Sequence, residues 1–420
     1  MMLQSARRRS LLFTRSISRP LSTETNPPSP SLSNVPPPLP SNRSRVRFSP
    51  APRPPQPSSY SPRVQISLPY LLPPNFGRNQ VLSVPDSTRA LLEEITRSFD
   101  APIRYAFAYG SGVFAQKGYS KADASPPLLD FIFAVNHPSH WHSINIHQNP
   151  SHYPLHARFL GSSFIAQFQG IEPGIWFNAY VPMNGVMIKY GVTTIDNLCS
   201  DLINWNTLYL SGRMHKPIRI IKDDTRVRLT QQVNLVSALR TALLTLPESF
   251  EEDLLFEKMA AFSYGGDFRM RFGGENPRKV QNIVSAQRAQ FKELYWRLAR
   301  GLPDVHWSQT STIINQDMFP RARSALVRKL PSNLLHRLET QYSRKYPVPS
   351  PDADSSAFWL SVGGDKTLSS VIEQELREIV RGPATVQSLK GLVTTGLNKS
   401  IRYSAAKVGK WWSSRNSSES

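Results

Sequence analysis

Two short stretches carry the residue types best suited to chemistry. The first is Tyr109-Gly110-Ser111-Gly112-Val113-Phe114, which reads as a strand end turning sharply through two glycines and a serine. Such a turn brings backbone N–H groups close to a bound phosphate. The second is the apolar run Leu128 to Val135, which reads as a buried strand with one charge, Asp130. A strand this apolar rarely keeps a lone carboxylate, because a buried charge is costly without a partner or a metal. The carboxylate suits a divalent cation, and the turn suits a triphosphate. Both parts serve nucleotidyl transfer, in which a metal bridges the triphosphate and cations take up charge on the leaving pyrophosphate.

Further charges extend this set. Lys189 sits inside the apolar run Val186 to Val192 and needs an anion beside it, either a carboxylate or a bound phosphate. Arg213-Met-His-Lys-Pro217 is a basic turn carrying Arg213 and Lys216. The stretch His137-Pro-Ser-His-Trp-His142, with His147 and His152 beyond it, reads as a Pro-containing loop whose side chains face solvent, a phosphate or a base. No pair there has the helical i, i+4 spacing with an intervening Glu that marks zinc hydrolases.

The elements that must position these residues follow from periodicity. Asp86 to Phe99 reads as a helix with Leu91, Leu92, Ile95 and Phe99 inward, followed by a strand from Ile103 to Tyr109. Trp176 to Ala179 and Val186 to Val192 form a hairpin about Asn184-Gly185. Thr194 to Leu210 reads as a helix carrying Asp201 and ended by Gly212; Ile218 to Ile221 is a short strand. From Thr225 helices prevail: Leu229 to Leu246, Ser249 to Phe262 and Arg278 to Arg300. The expected class is α+β, with a mixed domain over residues 63–222, a mostly helical one over 223–345, and a linker with a short helix over 346–383.

Charge bounds the rest. The 420 residues carry a formal net charge of +20, of which the first 62, with nine Arg and one acid, hold +8. Met1 to Thr23 is Arg- and Ser-rich without acids, a transit-peptide composition, and Asn26 to Pro62 is too rich in Pro and Ser to build a core. The single cysteine, Cys199, excludes an intrachain disulfide and a cysteine zinc site. No stretch reaches the roughly 18 apolar residues of a membrane span. At the other end, residues 384–415 read as an amphipathic helix. Val386, Leu389, Val393, Leu397, Ile401 and Val408 form its stripe, flanked by Lys390, Lys399, Arg402, Lys407 and Lys410 and closed by Trp411 and Trp412. Basic residues beside an apolar stripe suit an anionic membrane surface.

Gly110-Ser111 followed by Asp130 on the next strand resembles the signature of the polymerase-β-like nucleotidyltransferase superfamily. That pattern also carries a second carboxylate two residues from the first; here those positions are Leu128 and Ile132. A second ligand must come from elsewhere, with Asp201 or Asp196 as candidates. A longer resemblance runs through Tyr109-Gly-Ser-Gly-Val-Phe114, Leu129-Asp-Phe-Ile-Phe133, Trp141-His-Ser-Ile-Asn145, Asn149-Pro-Ser-His-Tyr153, Lys189-Tyr-Gly-Val192 and Asp201-Leu-Ile-Asn-Trp-Asn206. It continues in Gly212-Arg-Met-His-Lys-Pro217, Ser263-Tyr-Gly-Gly-Asp-Phe-Arg-Met270, Gly274-Glu-Asn-Pro277 and Lys390 to Ser400. These segments, in order, resemble the mitochondrial translocator assembly and maintenance family, the mitochondrial phosphatidate cytidylyltransferases.

The resemblance implies conversion of CTP and phosphatidic acid to CDP-diacylglycerol and pyrophosphate with Mg²⁺, peripherally on the matrix face of the inner membrane, for phosphatidylglycerol and cardiolipin synthesis. It implies a nucleotidyltransferase domain followed by a winged-helix-like domain. In that frame Gly110, Ser111 and Gly112 cradle the CTP phosphates, Asp130 holds the metal, and Lys189, Arg213 and Lys216 face phosphate charge. An organellar enzyme that tails RNA would share the turn, the acid and the basic excess, but no RNA-binding module is recognisable and no nucleic-acid partner is expected. A non-enzymatic assembly factor for the protein-import translocase is the other alternative.

Overall fold

The structure, a computed structural model, describes residues 72–73, 75–114, 128–266, 278–347 and 354–395. The segments expected as transit peptide and Pro-rich linker lie outside them, as do residues 267–277 and the tail beyond Thr395. The class is α+β, as expected from the order of periodic segments.

The helix α1 (Asp86–Arg97) leads into strand β1 (Tyr105–Tyr109), and β2 (Leu129–Val135) returns antiparallel to it. Helices α2 (Pro138–Gln148) and α3 (Leu155–Gly170) precede the hairpin β3 (Ile175–Met183) and β4 (Val186–Thr194). Asn184 and Gly185 both take positive φ, at 48° and 76°, as a two-residue hairpin turn requires. After α4 (Ile195–Asn204), strand β5 (Arg219–Lys222) completes a five-stranded sheet in the order β3-β4-β2-β1-β5. Only the β2–β4 pair is parallel, so the sheet is mixed.

Period-two alternation sorts β2 cleanly. Phe131, Phe133 and Val135 face one layer of core with Leu92, Phe99, Trp141 and Tyr190. Ile132 and Ala134 face the other, with Tyr105, Phe107, Leu198, Leu202 and Met214. Asp130 lies on this second face by the same alternation.

The chain then turns helical: α5 (Thr225–Leu243), strand β6 (Ser249–Glu251), α6 (Glu252–Ala261) and α7 (Lys279–Ala299). Strands β7 (Val305–His306) and β8 (Ile313–Gln316) join β6 in a small antiparallel sheet of order β6-β8-β7. Helices α8 (Pro320–Val327), α9 (Ser332–Tyr342), α10 (Ser356–Gly364) and α11 (Leu368–Thr395) follow. Leu235, Leu239, Phe256, Phe291 and Leu376 belong to the same continuous core as Phe131 and Phe133, so packing runs unbroken across residue 222.

Three local expectations are corrected. The His-rich stretch is a helix, α2, entered through Pro138, whose fixed φ suits a first helical position. The helix after β4 stops at Asn204, with Trp205 in the left-handed region at φ 55°. The last described helix does not start near residue 384: α11 runs from Leu368 to Thr395 with Pro383 inside it.

Candidate active site

Strand register assembles the site. Tyr109 pairs with Asp130 across β1–β2, and Asp130 pairs with Lys189 across β2–β4. Three consecutive strands thus present Tyr109, Asp130 and Lys189 in one row on one face. The row lies at the end of that face, beyond Phe107 and Ile132.

The bend after β1 is tight. Gly110 has φ 86°, and its carbonyl accepts from the N–H groups of Val113 (3.1 Å) and Phe114 (3.0 Å), which leaves Ser111 and Gly112 at the tip. A Cβ on Gly110 would lie 3.3 Å from Asp130 Oδ2, so the carboxylate faces the bend. A Cβ on Gly112 would meet Leu129 Cδ2 at 2.7 Å and the Leu128 carbonyl at 2.8 Å. Gly112 is there because the two chain segments approach too closely for a side chain, and Gly110 because its backbone is left-handed.

Lys189 Nζ lies 3.7 Å from Asp130 Oδ1, with the two side chains 20% and 24% exposed. It also lies 4.6 Å over the Phe177 ring. The pair is therefore loose and partly open to solvent, and no arginine among the described residues forms an ion pair with Asp130. Arg213 completes the group: its guanidinium carbon stacks 3.8 Å over Tyr209 and stands 6.0 Å from the Tyr109 ring, and it donates to the Tyr209 carbonyl. Tyr109 feels all three charges. Burial, reinforced by Asp130, pushes its hydroxyl up to about 12, against the opposing pull of Arg213 and Lys189.

Lys216 sits deeper. Its ammonium donates to the Gly212 carbonyl (2.7 Å) and Ser263 Oγ (2.9 Å) and lies 4.7 Å over Tyr264. Burial, then the cations of Arg213 and Lys279, hold its pKa well below the ordinary lysine value. Lys279, 5.2 Å over the same Tyr264 ring, was not singled out from sequence; its position on α7 gives no sign of this approach.

Asp201 is a correction. Oδ1 accepts from the N–H and hydroxyl of Thr207 (2.8 and 2.9 Å), and Oδ2 from the N–H of Leu210 (3.0 Å) and both donors of Ser211 (2.9 and 3.0 Å). Five donors leave it no coordination capacity, and it organises the loop after α4 instead of holding a metal. Asp196 pairs with Arg226 at 2.6 Å on the surface. Among the described residues, no group of three or more His, Cys, Asp or Glu stands together as a metal site.

Two of the histidines, His142 and His152, are structural. The Tyr153 hydroxyl donates to His142 Nδ1 (2.8 Å), and His142 Nε2–H donates to Gln169 Oε1 (2.8 Å). Asn145 and Asn178 both donate to the Tyr190 hydroxyl, at 2.9 and 2.8 Å, where His152 also bonds (2.9 Å). His142 and His152 are buried in this network, while His137, His140 and His147 are exposed.

Lys390 is the other correction. It is buried, and its ammonium donates to the carbonyls of Gln169 (3.2 Å) and Ile171 (2.7 Å), so it faces the protein and not a membrane. Burial lowers its pKa to about 8. Lys399, Arg402, Lys407, Lys410, Trp411 and Trp412 lie outside the described residues.

The family described as "Phosphatidate cytidylyltransferase, mitochondrial" matches residues 92–410. The chain belongs to the mitochondrial phosphatidate cytidylyltransferase family. Relatives of that name include one from Xenopus laevis, 39% identical over 332 residues, covering 78% of this chain and 96% of the relative. One from Schizosaccharomyces pombe is 36% identical over 372 residues, covering 84% and 92%. One from Saccharomyces cerevisiae is 44% identical over 228 residues, covering 53% and 59%. The family match spans every residue of the site, from Tyr109 to Lys279, and both corrected positions, Asp201 and Lys390.

Proposed function

We propose that the chain transfers the cytidylyl group of CTP to phosphatidic acid, giving CDP-diacylglycerol and pyrophosphate. The reading is carried by one observation: the Asp130 carboxylate faces the Gly110 bend with Lys189 beside it, in a family whose relatives are named for this reaction. The mixed sheet, with the bend between β1 and β2 and the acid early in β2, suits a nucleotidyltransferase core. The small sheet among helices α5–α9 suits a winged-helix-like second part.

The donor set fits Mg²⁺, which binds through one or two carboxylates plus substrate phosphates and water. Asp130 would hold the ion, which when bound neutralises triphosphate charge and orients the α-phosphate. The residues of the chain do the rest. The tip at Ser111 and Gly112 offers backbone and hydroxyl donors to the phosphates. Lys189, beside Asp130, takes up charge on the pyrophosphate as it leaves, and Arg213, held flat on Tyr209, adds a second fixed cation. A phosphate oxygen of the lipid attacks the α-phosphorus, and the bond to the β-phosphate bridging oxygen breaks. That nucleophile is already anionic, so no general base is needed; positioning and charge neutralisation dominate.

The relatives are named mitochondrial, and no helix among the described residues is long and apolar enough to cross a membrane. A peripheral site on the matrix face of the inner membrane, feeding phosphatidylglycerol and cardiolipin synthesis, agrees with both facts. The test uses CTP labelled at the α-phosphate with phosphatidic acid, RNA and Mg²⁺. Label in lipid is expected; label in RNA, or no transfer, overturns the proposal. In Asp130→Asn, lipid labelling should fall by about 10²-fold or more with the fold intact by circular dichroism.

A further inference from the structure

The second half of α11 is turned inside out. Gln387, Lys390 and Thr394 are buried against the protein, while Leu389, Leu392 and Val393 are 62%, 52% and 37% exposed. Gln387 Oε1 and Thr394 Oγ1 are buried without a hydrogen-bond partner. A helix facing only water would gain by the opposite orientation, since apolar surface is the surface water disfavours. The orientation is fixed by Lys390, whose ammonium is pinned to the Gln169 and Ile171 carbonyls at the end of α3.

The same helix α3 carries a second outward apolar group at its other end. Leu155, Phe159 and Leu160 are 74%, 91% and 51% exposed, just before the helix breaks at Gly161 (φ 83°). His156 and Arg158 are exposed in the same turn. A nearly bare phenylalanine directly after an exposed arginine, Arg158, is the chemistry of a surface that meets anionic headgroups and inserts a ring below them. Contiguous apolar exposure of this kind marks a contact surface.

We propose that Leu155, Phe159 and Leu160 of α3 form a membrane-insertion element for an anionic lipid bilayer, coupled through the Lys390 pin to the outward Leu389, Leu392 and Val393 of α11. The occupant is a bilayer because the basic side chains complement anionic headgroups, and because α11 leads directly into the basic, Trp-ending sequence from Lys399 to Trp412. The proposal rests on the lipid-substrate reading above and adds where the chain grips the surface. Two contact points, one on each side of the break at Gly161, would restrict the enzyme's orientation, where a tail alone would only tether it.

The test is flotation of the full chain with phosphatidylcholine vesicles, with and without phosphatidylglycerol, which is not the substrate. The variants are Phe159→Ser with Leu160→Ser, and, as a control, Phe319→Ser, another largely bare ring (73% exposed) at the start of α8. The paired variant should lose about tenfold or more of its binding to anionic vesicles. It should keep normal turnover of a short-chain phosphatidate dissolved as monomer, and the control should bind normally. Unchanged flotation of the paired variant overturns the proposal, as does equal loss in the control. So does a change of oligomeric state in place of flotation, which would assign the patch to a second copy. Failure of the unaltered chain to use any phosphatidate would sink the activity reading instead, and flotation would still decide the surface.

Discussion

Gly110 illustrates how little room the site leaves at the level of single residues. Its φ of 86° and the 3.3 Å from a hypothetical Cβ to Asp130 Oδ2 act together. Gly110→Ala should cost about 1–2 kcal/mol through left-handed backbone strain and push the carboxylate from its place. Denaturant unfolding should register the first effect and a raised KM for CTP the second; a variant with wild-type KM would show that the carboxylate has no fixed position to lose. Lys189 decides between a structural ion pair and a phosphate contact. The 3.7 Å pair is partly exposed, so its contribution to stability is at most about 1 kcal/mol. Lys189→Met should therefore leave unfolding nearly unchanged while lowering kcat by about 10²-fold. A large stability loss with normal kcat would make the lysine a strut.

At the scale of elements, the loop from Trp205 to Ser211 depends on Asp201. An amide in place of the carboxylate would turn an NH₂ group toward N–H or hydroxyl donors in either orientation. Asp201→Asn should destabilise the protein by roughly 3 kcal/mol. Calorimetry showing unchanged stability, with activity lost, would return Asp201 to the list of metal ligands. The sequence marked this residue because an aspartate on an apolar helix looks like a site. What it could not show is that α4 ends at Asn204 and folds its own following loop back over the carboxylate. The His-rich segment misled for a related reason. Pro138 reads as loop punctuation, but at the first position of a helix its missing N–H costs nothing. By contrast, the β1–bend–β2 unit was legible because glycine, period-two alternation and a lone acid are all local signals.

For the molecule as a whole, two buried histidines contribute to acid sensitivity. Burial lowers His142 to about 4 and His215 to about 3, against an ordinary 6.5. The folded protein thus binds fewer protons than the unfolded chain below pH 6.5. The stability they permit is complete above about 6.5 and is lost as the pH falls toward those values, by roughly 3 kcal/mol for His142 alone. His142→Gln should flatten the fall of Tm between pH 6.5 and 4 relative to the unaltered chain; parallel profiles would show that His142 is not a protonation site in this range.

The sequence by itself determined the α+β class, the bend and the lone acid on the strand after it, the Asn184-Gly185 hairpin and the family. These follow from short-range patterns: each is set by a few neighbouring residues, whose backbone preferences and polarity have one economical solution. Only the tertiary structure decided which charges gather at the bend and which hold the fold together. Lys189, Asp201 and Lys390 look alike in sequence, each a charge within an apolar run. Strand register sets Lys189 beside Asp130, a returning loop encloses Asp201, and two carbonyls from residues more than two hundred positions away capture Lys390. A charge is defined by what surrounds it, and distant parts of the chain supply those surroundings.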